Sequence, residues 1–323
     1  MVEMHYEFAP LQGITTADFR ALHCRMFGGV GRYYMPFFSP AHEHLLTARE
    51  HRELDPDRNA GVPAVPQVLT CRAEDFLWAI RTLADLGYRE VNLNLGCPSG
   101  TVTAKGKGAG FLARPEELDR FFNAVFSAAP PISISVKTRL GVREAEEFFR
   151  LLEIYNRYPI QRVILHPRVQ KDFYRNQVRL DAFRAALPIS RHPLCYNGDL
   201  VTAAQCAAFC AAFETVDTVL IGRGGAADPA LFRKLRGGRA ADRQELRRFT
   251  GALYERYQAS YGGRGPAAQR MKELWFYLIR LFGDGERYAR DLRRVSAPRE
   301  YERLEAGVFR DLPLREEPVG PLT

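Results

Sequence analysis

Short apolar runs alternate with longer amphipathic stretches through the first 235 residues. The β-rich runs fall at 5–9 (HYEFA), 32–36 (RYYMP), 64–69 (AVPQVL), 90–94 (EVNLN), 132–138 (ISISVKT), 161–165 (QRVIL), 193–196 (PLCY) and 217–221 (DTVLI). Helical periodicity appears between several of them, at 74–86, 116–128, 144–155 and 202–213. Helices of this length between short strands predict βαβ units and a parallel sheet. Eight repeats in this span match a (β/α)8 TIM barrel. A doubly wound sheet is the alternative. It would carry a glycine-rich turn after its first strand, whereas this chain continues APLQGITTADF with no GxGxxG.

After residue 237 the strand pattern stops. GGRAADRQ (237–244) reads as a linker running into a helix, and helical periodicity follows at 243–261, 266–282, 284–293 and 298–308. YGGRGP (261–266) and FGDG (282–285) supply the breaks. The expected organisation is a barrel over 1–236, a helical bundle over 243–310 and a loosely ordered tail over 311–323.

The chain has 323 residues, 46% of them apolar, enough for a large core. No apolar run approaches the roughly 18 residues of a membrane span, and no secretory signal is visible at the N-terminus. The six cysteines are dispersed, which fits reduced thiols in a cytoplasmic protein rather than a disulfide framework. Cys206 and Cys210 are spaced as i, i+4 on a helix; without a second close pair they read as core residues, and no metal site is expected.

The formal charge is +8, and residues 233–310 alone hold 19 Lys/Arg against 10 Asp/Glu. This concentration points to a polyanion such as nucleic acid, or else to a solvated surface in a chain with 40 arginines and 6 lysines.

The sharpest chemical signal is NLNLGCPSG (92–100), followed closely by KGKGAGFL (105–112). It puts Cys97 on a tight turn at a strand's C-terminal end, where a thiol can serve as general acid, nucleophile or metal ligand. In a TIM barrel, the strand ends build the active site. Read in order, those ends present Pro10-Leu11-Gln12-Gly13, Gln67, Asn94 and Cys97, Lys137 and Arg139, His166 and Arg168, Asn197-Gly198-Asp199, and Gly222-Arg223-Gly224-Gly225. Lys137 lies on a central strand, where an ammonium needs a partner: either an internal carboxylate such as Asp199 or an anionic cofactor. The glycine turns after the seventh and eighth strands, with Arg223, suit a phosphate. Together these groups span a ligand the size of flavin mononucleotide.

The chain resembles the dihydrouridine synthase family. Its landmarks appear in order: APLQG at 9–13, PQVL at 66–69, NLNLGCPS at 92–99, VKTRLG at 136–141, HPR at 166–168, NGD at 197–199 and IGRG at 221–224. The resemblance implies FMN-dependent reduction of uridine in RNA, with NADPH or NADH as electron donor and tRNA as substrate, ribosomal RNA being the alternative. It implies that Cys97 protonates uracil C5 after hydride reaches C6, and that Asn94 contacts the target base. Gln67 and Lys137 would hold the isoalloxazine ring. Pro10, Leu11, Gln12, His166, Asn197, Gly198, Asp199, Gly222 and Arg223 would complete the flavin contacts. Arg168, and Tyr174 and Arg175 beyond it, are candidate substrate contacts at the rim; Arg270 and Lys272 are candidates on the helical bundle. Ser99-Gly100-Thr101 replaces a basic residue usual after Cys-Pro, and Pro167 replaces a small residue. A monomer without protein partners is expected. The competing readings are a small-molecule pyrimidine flavin oxidoreductase on the same barrel and a non-catalytic RNA-binding factor.

Overall fold

The computed structural model describes residues 3–320. Nine parallel strands form one sheet: β1 (His5–Phe8), β2 (Tyr33–Tyr34), β3 (Ala64–Val65), β4 (Gln67–Val68), β5 (Glu90–Leu95), β6 (Ser133–Gly141), β7 (Val163–Val169), β8 (Leu194–Asn197) and β9 (Thr218–Ile221). Their order is β3-β2-β1-β9-β8-β7-β6-β5-β4. The two edges are halves of one stave. Pro66 separates β3 from β4; it has no N–H to donate, and its carbonyl accepts the N–H of Asn92. β3 pairs back to β2 and β4 pairs forward to β5, so the nine segments close as an eight-stave barrel. The predicted 64–69 strand is thus split, and the barrel is as expected.

Inside the barrel, Ala9, Tyr34, Val65, Ile164, Cys195 and Leu220 pack as a separate interior cluster. Outside, the helices follow their apolar spacing. Ala73–Asp85 buries Phe76, Ala79, Ile80 and Leu83, and Pro115–Ser127 buries Leu118, Phe121, Phe122 and Val125. Cys206 is buried in the same outer core, on the helix Ala203–Ala212.

β7 runs longer than its apolar run suggests, through His166, Pro167 and Arg168 to Val169. Its register against β6 shifts between Arg139 and Gly141. Pro167 sits within that irregularity, where a strand tolerates a residue without an N–H.

The C-terminal region is helical throughout: Arg243–Tyr261, Arg264–Leu278, Glu286–Arg294 and Pro298–Asp311. Asp242 caps the first of these, and Gly262 ends it in the left-handed conformation at φ +81°. The region shares one core with the barrel. The Phe249 ring meets Phe19 and Phe27 at centroid separations of 5.8 and 5.1 Å, and the Tyr257 hydroxyl lies 3.1 Å from that of Thr16. The described part of the expected tail is tied down. Leu314 bridges Phe282, and the N–H groups of Arg315 and Val319 donate to Leu281 and Arg280. Residues 321–323 lie outside the described residues. No helix among the described residues is long and apolar enough to cross a membrane.

Candidate active site

A cavity of about 520 Å³ opens at the C-terminal rim of the barrel. This is within the usual range for small-molecule sites. Cys97, Asn94, Gln67, Lys137 and His166 line it from β4–β7 and the turn after β5; Asn197, Gly198, Asp199, Gly222 and Arg223 line it from the ends of β8 and β9. Pro10, Leu11 and Gln12 enter from the loop after β1.

The Cys97 turn is held from three sides. The Asn94 side-chain oxygen accepts the N–H groups of Gly96 and Cys97 at 3.0 and 2.9 Å. The Asn94 amide donates to Gln67 Oε1 at 2.7 Å, Gln67 Nε2 donates to Asn92 Oδ1 at 2.7 Å, and Asn92 donates to Ser135 Oγ at 2.9 Å. Ser135 then donates to Glu90 at 2.8 Å. This chain crosses the barrel interior and leaves the buried amides paired. From the second side, Arg139 Nε donates to the Gly96 carbonyl at 2.9 Å. From the third, the glycine-rich stretch packs against the cysteine. Gly108 has φ +56°, and a Cβ there would lie 2.8 Å from the Cys97 carbonyl oxygen. The Ala109 N–H donates to the same carbonyl at 3.0 Å.

Cationic groups dominate the cavity. Asp199 does not pair with Lys137: its carboxylate takes a two-pronged contact from Arg168 and a third from Arg223 at 2.6 Å. Lys137 has no carboxylate partner among the described residues. Burial, reinforced by Arg139, pushes the Lys137 ammonium down to about 7. His166 Nε2 lies 2.9 Å from Arg168 Nη1, and a guanidinium can only donate, so this nitrogen accepts and Nδ1 carries the proton. Burial and the surrounding Arg139, Lys137, Arg168 and Arg223 hold His166 well below its ordinary value, as a neutral ring. The Tyr174 ring lies under two guanidinium groups, those of Arg139 and Arg223, at 5.3 and 5.2 Å.

Tyr174 and Arg175 line the cavity mouth. Arg168 is buried behind Asp199 and does not line the cavity; it orients both Asp199 and His166. Arg270 stacks on Tyr261 at 4.8 Å and lines a neighbouring 260 Å³ pocket with Phe37 and Arg49. Lys272 donates to the carbonyl of Val295 at 2.7 Å, tying two helices together outside the cavity. Ser99-Gly100-Thr101 starts a short helix, Gly100–Thr103.

Three aromatic cavity residues escaped the sequence reading: Phe37, Phe173 and Tyr277. Tyr277 comes from the helix Arg264–Leu278, so the C-terminal region contributes directly to the cavity wall. Its position after Leu274 and Trp275 resembled core periodicity. Only the packing of that helix against the 9–13 loop reveals its outlook; a Cβ on Gly13 would collide with the Glu273 carboxylate.

The family model described as Dihydrouridine synthase (Dus) matches residues 7–297. The chain is 26% identical over 226 residues to tRNA-dihydrouridine synthase B of Pasteurella multocida, covering 70% of this chain and 67% of that one. It is 32% identical over 200 residues to tRNA-dihydrouridine(16) synthase of Ralstonia nicotianae (60% and 61%). With the protein of the same name from Cupriavidus necator it shares 29% over 281 residues (82% and 85%). Among solved structures, morphinone reductase aligns at TM-score 0.53 with 12% identity over 74% of this chain and 87% of that one. The old yellow enzyme homologue from Zymomonas mobilis aligns at 0.53 with 10% identity over 72% and 88%. These two show the fold.

Proposed function

This chain belongs to the dihydrouridine synthase family, and from that premise we propose that it reduces uridine in tRNA to 5,6-dihydrouridine with a bound flavin mononucleotide. The observation that carries the reading is the convergence, in one cavity, of a thiol on a hydrogen-bonded turn, a lysine with no carboxylate partner among the described residues, and the glycine turns after β8 and β9 with Arg223.

The donor set fits flavin mononucleotide. Arg223 and the turns after β8 and β9 suit its phosphate. Lys137 and the Nδ1–H of His166 suit electron-rich atoms of its ring, and Gln67 borders the same space. A flavin held there would supply the hydride for uracil C6, with NADPH or NADH as the electron source. Cys97 Sγ supplies the proton to C5, so the C5=C6 bond gains one hydride and one proton. Asn94, Arg139 and Gly108 fix where that thiol points. The cationic rim and the C-terminal helices with their arginines serve the RNA, and the target uridine must be everted to enter.

The test incubates purified protein with a reduced nicotinamide cofactor and tRNA lacking dihydrouridine, then maps the products by mass spectrometry. A uridine that gains two hydrogens is expected. The Ralstonia and Cupriavidus relatives are named for position 16, which makes that position the first to inspect. Conversion only in ribosomal RNA would move the substrate; conversion only of free pyrimidines would overturn the reading.

A further inference from the structure

Phe173 combines three features that packing does not explain. It lines the cavity mouth, it is 46% exposed, and its backbone has φ +50°. A phenylalanine at positive φ is costly, because its Cβ crowds the backbone. Its ring enters no aromatic pair or cation–π contact among the described residues. The neighbouring Tyr174 ring, by contrast, is engaged by His166, Arg139 and Arg223.

The strained turn is held by a built network. The carboxylate of Asp172, its side chain fully buried, accepts the N–H of Val169 at 3.0 Å and the amide of Asn176 at 2.6 Å, and it pairs with Arg179. The Arg179 N–H returns to the Pro167 carbonyl at 2.8 Å, and Arg168 Nε donates to the Asn176 carbonyl at 2.6 Å. An apolar residue is therefore presented from a hydrogen-bonded turn at the mouth of a cationic cavity, with nearly half its surface open to solvent.

We infer that Phe173 is a preorganised stacking platform for the nucleotide adjoining the everted target uridine. This rests on the tRNA reading above. When one nucleotide leaves the stack, its neighbour loses a stacking face; a fixed aromatic ring replaces that face with little further loss of conformational freedom. The cation Arg175 beside it would meet the phosphate between the two nucleotides.

The experiment measures tRNA affinity of the flavin-loaded protein for Phe173→Ala, Phe173→Leu and Phe173→Tyr, with flavin content and thermal midpoint as folding checks. Stacking predicts about a tenfold loss of affinity in the Ala and Leu variants, with Tyr close to wild type. Leu retains apolar bulk but has no π face, so it separates stacking from simple hydrophobic contact. Equal affinity across all variants overturns the inference, as does an equal loss in all three, which would signal the loop rather than the ring. Wild-type protein that neither binds nor reduces tRNA overturns the functional reading and this inference together. An active wild type with equivalent variants overturns this inference alone.

Discussion

The side-chain oxygen of Asn94 lies 2.9 Å from the backbone nitrogen of Cys97 and accepts its N–H. The same oxygen takes the Gly96 N–H, and the amide of Asn94 is held by Gln67. The residue that the family resemblance assigns to the target base therefore also holds the turn that carries the thiol. Asn94→Ala leaves two turn N–H groups and the Gln67 carbonyl without these partners. It should destabilise the protein by about 1–3 kcal/mol, read by chemical denaturation, and change the alkylation rate of Cys97. An unchanged alkylation rate would show that the turn holds itself.

Cys97→Ala should retain flavin and tRNA but slow uridine reduction by about 10²- to 10⁴-fold, the usual worth of a general acid. Single-turnover kinetics with prereduced flavin isolates that step. Full activity in the variant would assign the proton to another group.

Gly108→Ala forces a Cβ to 2.8 Å from the Cys97 carbonyl and 3.1 Å from the Cys97 Cβ, at φ +56°. It should cost more than about 1 kcal/mol and lower reduction through the displaced thiol. Wild-type stability and rate would remove the glycine-rich stretch from the account.

Lys137 carries a pH signature. Its folded value of about 7 lies below the ordinary 10.5, so between these values the folded apoprotein binds fewer protons than the unfolded chain. The stability contributed by this group therefore rises with pH across that window and is flat below it. An anionic ligand beside the ammonium favours its charged form. Flavin binding at pH 8 should then take up protons, and affinity should weaken as pH rises above 7. Calorimetry in buffers of different ionisation enthalpy reads the uptake, and Lys137→Met should abolish it. Uptake that persists in the variant would place the titration elsewhere.

Charge reversal at Arg290 and Arg294, exposed on the helix Glu286–Arg294, should weaken tRNA binding and lower the salt slope by about one per lost phosphate contact. Lys272→Glu should instead reduce stability, because that ammonium caps the Val295 carbonyl. A filter-binding titration against salt, beside a thermal melt, separates the two effects.

The staves of the barrel were legible because each is an apolar run flanked by amphipathic spacing, and rim residues such as Lys137 and Asn197 followed from strand polarity alone. Pairing was not legible. Lys137 and Asp199 looked like complementary charges, but Arg168 and Arg223 occupy that carboxylate, a choice made by strand register and side-chain reach. The short helices Ala48–Leu54 and Leu180–Ala186 lie in stretches too short and polar to show a clear period. Phe173 and Tyr277 read as ordinary apolar residues, since exposure and backbone angle leave no trace in composition.

The most direct measurement is position-mapped mass spectrometry of tRNA lacking dihydrouridine after incubation with the protein and a reduced nicotinamide cofactor, run in parallel for wild type and Cys97→Ala. Wild type should add two hydrogens at a defined uridine, and the variant should add almost none at equal times. Unmodified tRNA in both reactions, from protein loaded with flavin, would contradict the proposed function.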